Sequence, residues 1–298
     1  MTKLLVGASS DTGRVREHNE DEVRLAEPES SQTAGRGFLA AVADGMGGHE
    51  RGEVASNLAI ETLFTTFYDE QSEGAKEDLV ALLKQGFKAS NDRIMSESTS
   101  VSSTGSMGTT MVAAAVSGTQ LTIANVGDSR AYLVRAEAAT QITRDHSLVA
   151  EQVASGVITA EEARTSNYRN VITRALGHRP KVDVDVFEID LLPDDRVVLC
   201  SDGVHGHVEL EEVATITLKQ GPQEASQELI DLAMERGSTD NVTAAVLWFD
   251  PATEEVVAAT AEAPPQGRLS PVLLLLVLVL VIAAVVAGLI FTNVLTLP

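Results

Sequence analysis

The sequence predicts an α+β fold: a sandwich of short strands covered by helices, followed by one C-terminal transmembrane helix. Three observations carry that expectation. Eight short apolar runs are spread through residues 1–250, three amphipathic stretches lie between them, and a charge-free run of twenty residues stands near the end. With 44% hydrophobic residues, the chain has ample apolar surface for a packed core.

The strands are predicted at 4–8, 38–43, 111–116, 121–126, 131–135, 182–188, 197–200 and 242–249. Each is a short run rich in Val, Ile, Leu or Ala, and turn-forming Gly, Asp, Ser or Pro separates several of them. Helix periodicity appears at 53–68, where Val54, Leu58, Leu63 and Phe67 fall close to one face. It recurs at 76–95 with Leu79, Leu83, Phe87 and Ile94. A third helix is bracketed by Pro222 at its start and Gly237 just past its end, with Leu229, Ile230, Ala233 and Met234 facing inward.

After residue 250 the composition changes. Residues 251–271 are rich in Ala, Glu, Thr and Pro and read as a linker. Residues 272–291, VLLLLVLVLVIAAVVAGLIF, carry no charge. At a helical rise of ~1.5 Å per residue they span about 30 Å, the thickness of a bilayer's hydrocarbon core. A short tail, 292–298, follows. The N-terminal MTKLLVGASSD is too briefly apolar for a signal peptide, so the expected arrangement is single-pass, with residues 1–250 cytoplasmic; Arg268 on the near side agrees with it.

The net charge of −21 argues against nucleic acid as a partner, because binding a phosphate backbone needs clustered Lys and Arg. The single cysteine, Cys200, lies in the apolar run VVLC and reads as a buried strand residue. Among 43 acids, a few share one setting. Asp44 follows FLAAVA, Asp202 follows VVLCS, and Asp128 follows LTIANVG, each where an apolar strand surfaces. Asp240 stands just before the strand VTAAVLWF, and Asp21 ends a polar stretch. Each Asp-Gly pair alone is a turn signal. Several unpaired carboxylates brought together at strand ends would repel one another, and hard divalent cations relieve that by binding oxygen. The six histidines show no zinc spacing, and His205 and His207 read as ordinary exposed loop residues.

Taken together, the segments SDTGRVREHNED (10–21), VADGMGGHERGEVAS (42–56), GTT (108–110), NVGDSRAYL (125–133), TRDHS (143–147), NVITRALG (170–177), CSDG (200–203) and STDNVT (238–243) resemble the protein phosphatase type 2C family in its bacterial form. The resemblance covers essentially all of residues 5–250. It implies an αββα sandwich of two antiparallel sheets packed face to face with helices outside, and a metal-dependent phosphatase acting on phosphoserine and phosphothreonine. It implies two Mn2+ or Mg2+ ions: Asp44 bridges them, Gly45 lends its carbonyl to one, Asp202 and Asp240 complete the other, and Asp21 acts through water. Asp128 joins Asp202 at a third metal, and Arg16 binds the substrate phosphate. The expected chemistry is in-line attack by metal-activated water, without a covalent intermediate.

The sequence departs from the family's eukaryotic pattern at Met46, where a proton-donating histidine often follows Asp-Gly. That leaves the leaving-group acid unassigned, between metal-bound water and His49. Residues 146–170 match the family's variable flap and contain a capping-box pattern at Thr159 and Glu162. Expected partners are phosphoprotein substrates, a Ser/Thr protein kinase that the enzyme opposes, and the membrane. The rival expectation is a catalytically silent module that binds phosphoproteins at the membrane.

Overall fold

The computed structural model describes residues 3–47, 51–69, 78–100 and 107–250. In chain order the elements are β1 (Lys3–Asp11), β2 (Asp21–Leu25), α1 (Ser31–Arg36), β3 (Phe38–Met46), α2 (Arg51–Phe67), α3 (Leu79–Ser100), β4 (Gly108–Thr109), β5 (Met111–Ser117), β6 (Gln120–Val126) and β7 (Arg130–Arg135). There follow β8 (Ala138–Gln141), α4 (Leu148–Ala154), α5 (Ala160–Thr165), β9 (Asp185–Asp190), β10 (Arg196–Cys200), α6 (Asp202–His205), α7 (Leu210–Lys219), α8 (Pro222–Glu235) and β11 (Val242–Asp250). One sheet runs β1-β11-β10-β7-β8 and the other β2-β3-β5-β6-β9, with the short β4 on β3. Every pairing is antiparallel.

The layering follows from the two-residue period of a strand. Phe38 to Ala43 are all buried because β3 has a covered face on each side. Phe38, Ala40 and Val42 join Val112, Ala114, Leu199, Ala245 and Leu247 in the layer between the sheets. Their neighbours Leu39, Ala41 and Ala43 pack outward on Leu63, Phe67, Leu83 and Phe87 of α2 and α3. On the other sheet Val198, Ala244 and Val246 pack outward on Val213, Leu229 and Ile230 of α7 and α8. The expected α+β sandwich of two antiparallel sheets flanked by helices is therefore present.

Several local readings change. On α2 the buried face is Ala55, Ala59, Ile60, Leu63, Phe64 and Phe67, and Val54 is 41% exposed. Alanines, too small to signal a face by hydropathy, let the helix approach the sheet. The strand predicted at 182–188 runs Asp185–Asp190; Val182 and Val184 instead pack against the α2–α3 layer. The short strands β2 and β8 and the short helices α1, α4 and α6 gave no periodic signal long enough to read, whereas α7, with Val213, Ala214, Ile216 and Thr217 buried along one side, carries a helical period that the predicted elements do not include. Cys200 is buried as expected, which pushes its thiol up to about 12.

Among the described residues no helix is long and apolar enough to cross a membrane. The expected linker 251–271, transmembrane helix 272–291 and tail 292–298 lie outside the described residues, as do His49 and the first residues of the helix predicted from position 76.

Candidate active site

The inward-facing register of the sandwich turns from apolar to polar at one end. Continuing the Phe38, Ala40, Val42 row gives Asp44, whose cross-strand partner on β2 is Asp21. Continuing the Leu199 and Ala245 rows gives Ser201 and Thr243. The Ser201 hydroxyl donates to Asp21 Oδ2 at 2.7 Å, tying one sheet to the other, and accepts the Thr243 N–H at 3.1 Å. Thr110 and Ser129, continuing the rows of Val112 and Ala131, share a hydrogen bond of 2.7 Å. Small hydroxyl residues thus close the core where carboxylates begin.

The backbone at Asp44 is held closely. Its N–H donates to Thr110 Oγ1 at 3.1 Å, and its carbonyl accepts Thr110 N–H at 2.9 Å and Thr109 Oγ1–H at 2.8 Å. The following N–H, of Gly45, donates to the Glu20 carbonyl at 3.0 Å. A Cβ at position 45 would overlap the Gly52 carbonyl, so glycine is what lets the start of α2 sit against the end of β3.

Five carboxylates repel one another across this end. Burial pushes the Asp21 carboxyl up to about 7 despite the hydrogen bonds from Ser201 and Thr243, and Asp202 and Asp240 push the same way. Asp44 is driven well above the usual range by burial and then by Asp21, Asp202, Asp128 and Asp240. Asp202 is raised by burial and by Asp240, and it shares a hydrogen bond with Asp44. Asp128, 6% exposed, is pushed up to about 7 by burial and then by Asp202 and Asp145. The structure therefore brings Asp21, Asp44, Asp128, Asp202 and Asp240 into one electrostatic neighbourhood.

Arg16 enters it from the β1–β2 loop. Its Nη2 donates to Asp240 Oδ2 at 2.8 Å, and Nη1 lies 3.7 Å from Glu20 Oε2. Burial opposes its charge, but Asp240, Glu20 and Asp44 together hold its pKa above the usual value. Asn241 secures the loop beneath, with its Nδ2 donating to the Thr12 and His18 carbonyls and its Oδ1 accepting from Glu20 N–H.

The donor set tests whether a divalent ion fits. It is all oxygen, it is anionic, and Asp128 Oδ1 is buried with no hydrogen-bond partner; such a group needs a cation or a proton. Among the described residues no three His, Cys, Asp or Glu side chains close round a single point. A Mg2+ or Mn2+ ion here would complete its shell with backbone carbonyl and water, as these ions commonly do. The residues fit such an ion.

Some of this was missed in the sequence. Glu20, raised by burial against the pull of Arg16, adds a carboxyl beside Gly52. Ser201, Thr243 and Asn241 sit in apolar or turn contexts with no signal of their own. His205 and His207 are not exposed loop residues. His205 closes α6, its Nε2 is 3.0 Å from the Asp128 carbonyl, and burial followed by Arg130 lowers its pKa to about 3. His207 Nδ1 stands 3.3 Å from the Gly203 carbonyl.

Residues 6–242 match the family model described as Protein phosphatase 2C. The serine/threonine phosphatase stp of Listeria monocytogenes is 36% identical over 244 residues, covering 81% of this chain and 94% of that protein. The crystal structure of the Mycobacterium tuberculosis serine/threonine phosphatase PstP/Ppp aligns with a TM-score of 0.73 at 37% identity, covering 83% of this chain and 99% of that one. A structure of the PstP catalytic domain in complex with two manganese ions aligns at 0.71 and 37%, with the same coverage.

Proposed function

The chain belongs to the protein phosphatase 2C family of metal-dependent serine/threonine phosphatases, and from that premise we propose that it hydrolyses phosphoserine and phosphothreonine in proteins at the end of the sandwich where Asp21, Asp44, Asp202 and Asp240 meet. The observation that carries this reading is the mutual repulsion of those carboxylates beside the Arg16 guanidinium. A cluster that raises its own proton affinity in this way is a site for replacing protons with divalent cations.

In this reading Asp44, the Gly45 carbonyl, Asp202 and Asp240 would hold two divalent ions, with Asp21 acting through water, and Asp128 with Asp202 would hold a third. When bound, the ions supply a water acidic enough to act at neutral pH and offset charge on the phosphoryl group. Arg16 orients the substrate. Its five N–H donors exceed what the Asp240 contact uses, so the guanidinium, braced by Asp240, can fork onto two phosphoryl oxygens. The brace also sets Arg16 beside the carboxylates, so a phosphate held by it would lie next to the residues that would hold the ions. Met46 has a thioether and donates no proton to the leaving oxygen. The retention of every carboxylate favours catalysis over a silent binding module. The test is release of phosphate from a phosphothreonine peptide with Mn2+ present, after EDTA, and after Mn2+ is restored. Activity indifferent to the chelator would reject the reading.

The finer proposal is a phosphatase tethered by residues 272–291, with its catalytic domain cytoplasmic and opposing a Ser/Thr protein kinase. The twenty-residue apolar run supports the tether. Deleting residues 269–298 is expected to move the protein from the membrane pellet to the supernatant; a deletion that stays in the pellet contradicts it. Loss of the gene is expected to raise phosphothreonine on the kinase's targets, and an unchanged phosphoproteome would count against the opposition.

A further inference from the structure

Two histidines outside the carboxylate set hold the loop that carries Asp128, at successive residues. Gly127 N–H donates to His146 Nδ1 at 3.0 Å, and the backbone N–H of His146 donates to the Gly127 carbonyl at 2.9 Å. Gly127 has a φ of +113° and a Cβ there would run into Thr110, so the loop passes this point along one path. At the next residue His205 Nε2 is 3.0 Å from the Asp128 carbonyl oxygen. A carbonyl oxygen only accepts, so Nε2 carries the hydrogen and donates it.

The placement of His205 gives this contact a consequence. Asp202 opens α6 and His205 closes it, so a single turn of helix presents one carboxylate and also holds the backbone of its neighbour. Asp128 is buried, Oδ1 has no hydrogen-bond partner, and Asp202 is the largest source of repulsion on its carboxyl after burial itself. Asp145, the next source of that repulsion, is engaged by the Arg130 guanidinium at 2.7 to 3.2 Å. The unpartnered oxygen is therefore Asp128 Oδ1, and Asp202 is the carboxylate that acts on it most strongly.

We infer that His205 is a positioning residue: by donating to the Asp128 carbonyl it fixes the spacing of Asp128 and Asp202 for a third divalent cation. This rests on the reading of that pair as a cation site. A side chain that orients a ligand without touching the ion commonly changes metal affinity by about 10- to 100-fold when removed.

The experiment is a Mn2+ titration of the full 298-residue chain, read as free Mn2+ by electron paramagnetic resonance, for wild type, His205→Leu, His205→Gln, His205→Asn and Asp128→Asn. His205→Leu is expected to weaken the weakest Mn2+ by about ten-fold or more while the tighter ions stay within about two-fold. Glutamine, whose Nε2 reaches as far as the imidazole's, is expected to restore it; asparagine, too short, is not. That pairing keeps the test open if the leucine variant fails to fold. Unchanged weak binding in His205→Leu, with binding lost in Asp128→Asn, overturns the positioning role and leaves the cation reading standing. Equal weakening of every ion, or no rescue by glutamine, also overturns it. Unchanged binding in Asp128→Asn overturns both.

Discussion

At the scale of single residues, the carboxylates of the cluster make the metal-free protein sensitive to pH in a definite direction. Asp21 and Asp128 have pKa values raised to about 7 in the folded state against 3.8 as the reference. A group that binds its proton more tightly when folded contributes stability that is fully present below the unfolded value and lost as pH rises through the folded one. The melting temperature of the metal-free chain is therefore expected to fall between about pH 4 and pH 8, and saturating Mn2+ to flatten that slope because the cation takes the place of the protons. A metal-free melting temperature that rises across this range would show that the carboxylates do not confront one another. Arg16→Ala is expected to lower kcat/KM for a phosphopeptide by about ten-fold or more, equivalent to ~1.4 kcal/mol, and Arg16→Lys to recover little of it because an ammonium cannot fork. Equal activity in the lysine variant would remove the bidentate role. What the sequence disclosed at this scale was uneven. Asp44 and Asp202 could be read because each ends an apolar run. Ser201 and Thr243 could not, since a small hydroxyl residue beside such a run looks like more strand. His205 was misread because nothing in DGVHGH tells that one imidazole turns inward.

Among the elements, legibility followed length and contrast. The strands β3, β5, β6 and β11 are mostly apolar because both faces are covered, and they stand out from the polar segments around them. The strand β2 reads DEVRL, with only Val23 and Leu25 apolar in a run too short to stand out, and its place beside β3 is set by tertiary pairing. The capping box at Thr159 and Glu162 is present and starts α5, so a local motif survived where periodicity was silent. The face of α2 shows how hydropathy misleads when alanine does the packing. Leu63, fully buried, is expected to cost about 2–5 kcal/mol when cut to alanine, and Val54→Ala to stay within about 0.5 kcal/mol. Urea unfolding of the two variants separates them; comparable losses would mean that the helix is rotated from the face described.

For the whole molecule, the two-sheet architecture explains why residues far apart in sequence act together. Asp21 and Asp44 come from paired strands of one sheet, Asp202 from the start of α6 and Asp240 from the loop before β11 at the end of the other, and Ser201 joins the two. Neither sheet alone assembles the site, so its chemistry depends on the face-to-face packing of the Phe38, Val112, Leu199 and Leu247 layer. Under the proposed tether the apolar run 272–291 would contribute location alone and leave the chemistry to residues 1–250. The most direct measurement of the central claim is Mn2+-dependent hydrolysis of a phosphothreonine peptide by residues 1–250, compared with Asp44→Asn and Asp202→Asn of the same length. Each substitution is expected to reduce kcat by at least about 100-fold, with the fold intact by circular dichroism. Full activity in both variants, or full activity after chelation, would contradict a metal-dependent hydrolase built on these carboxylates.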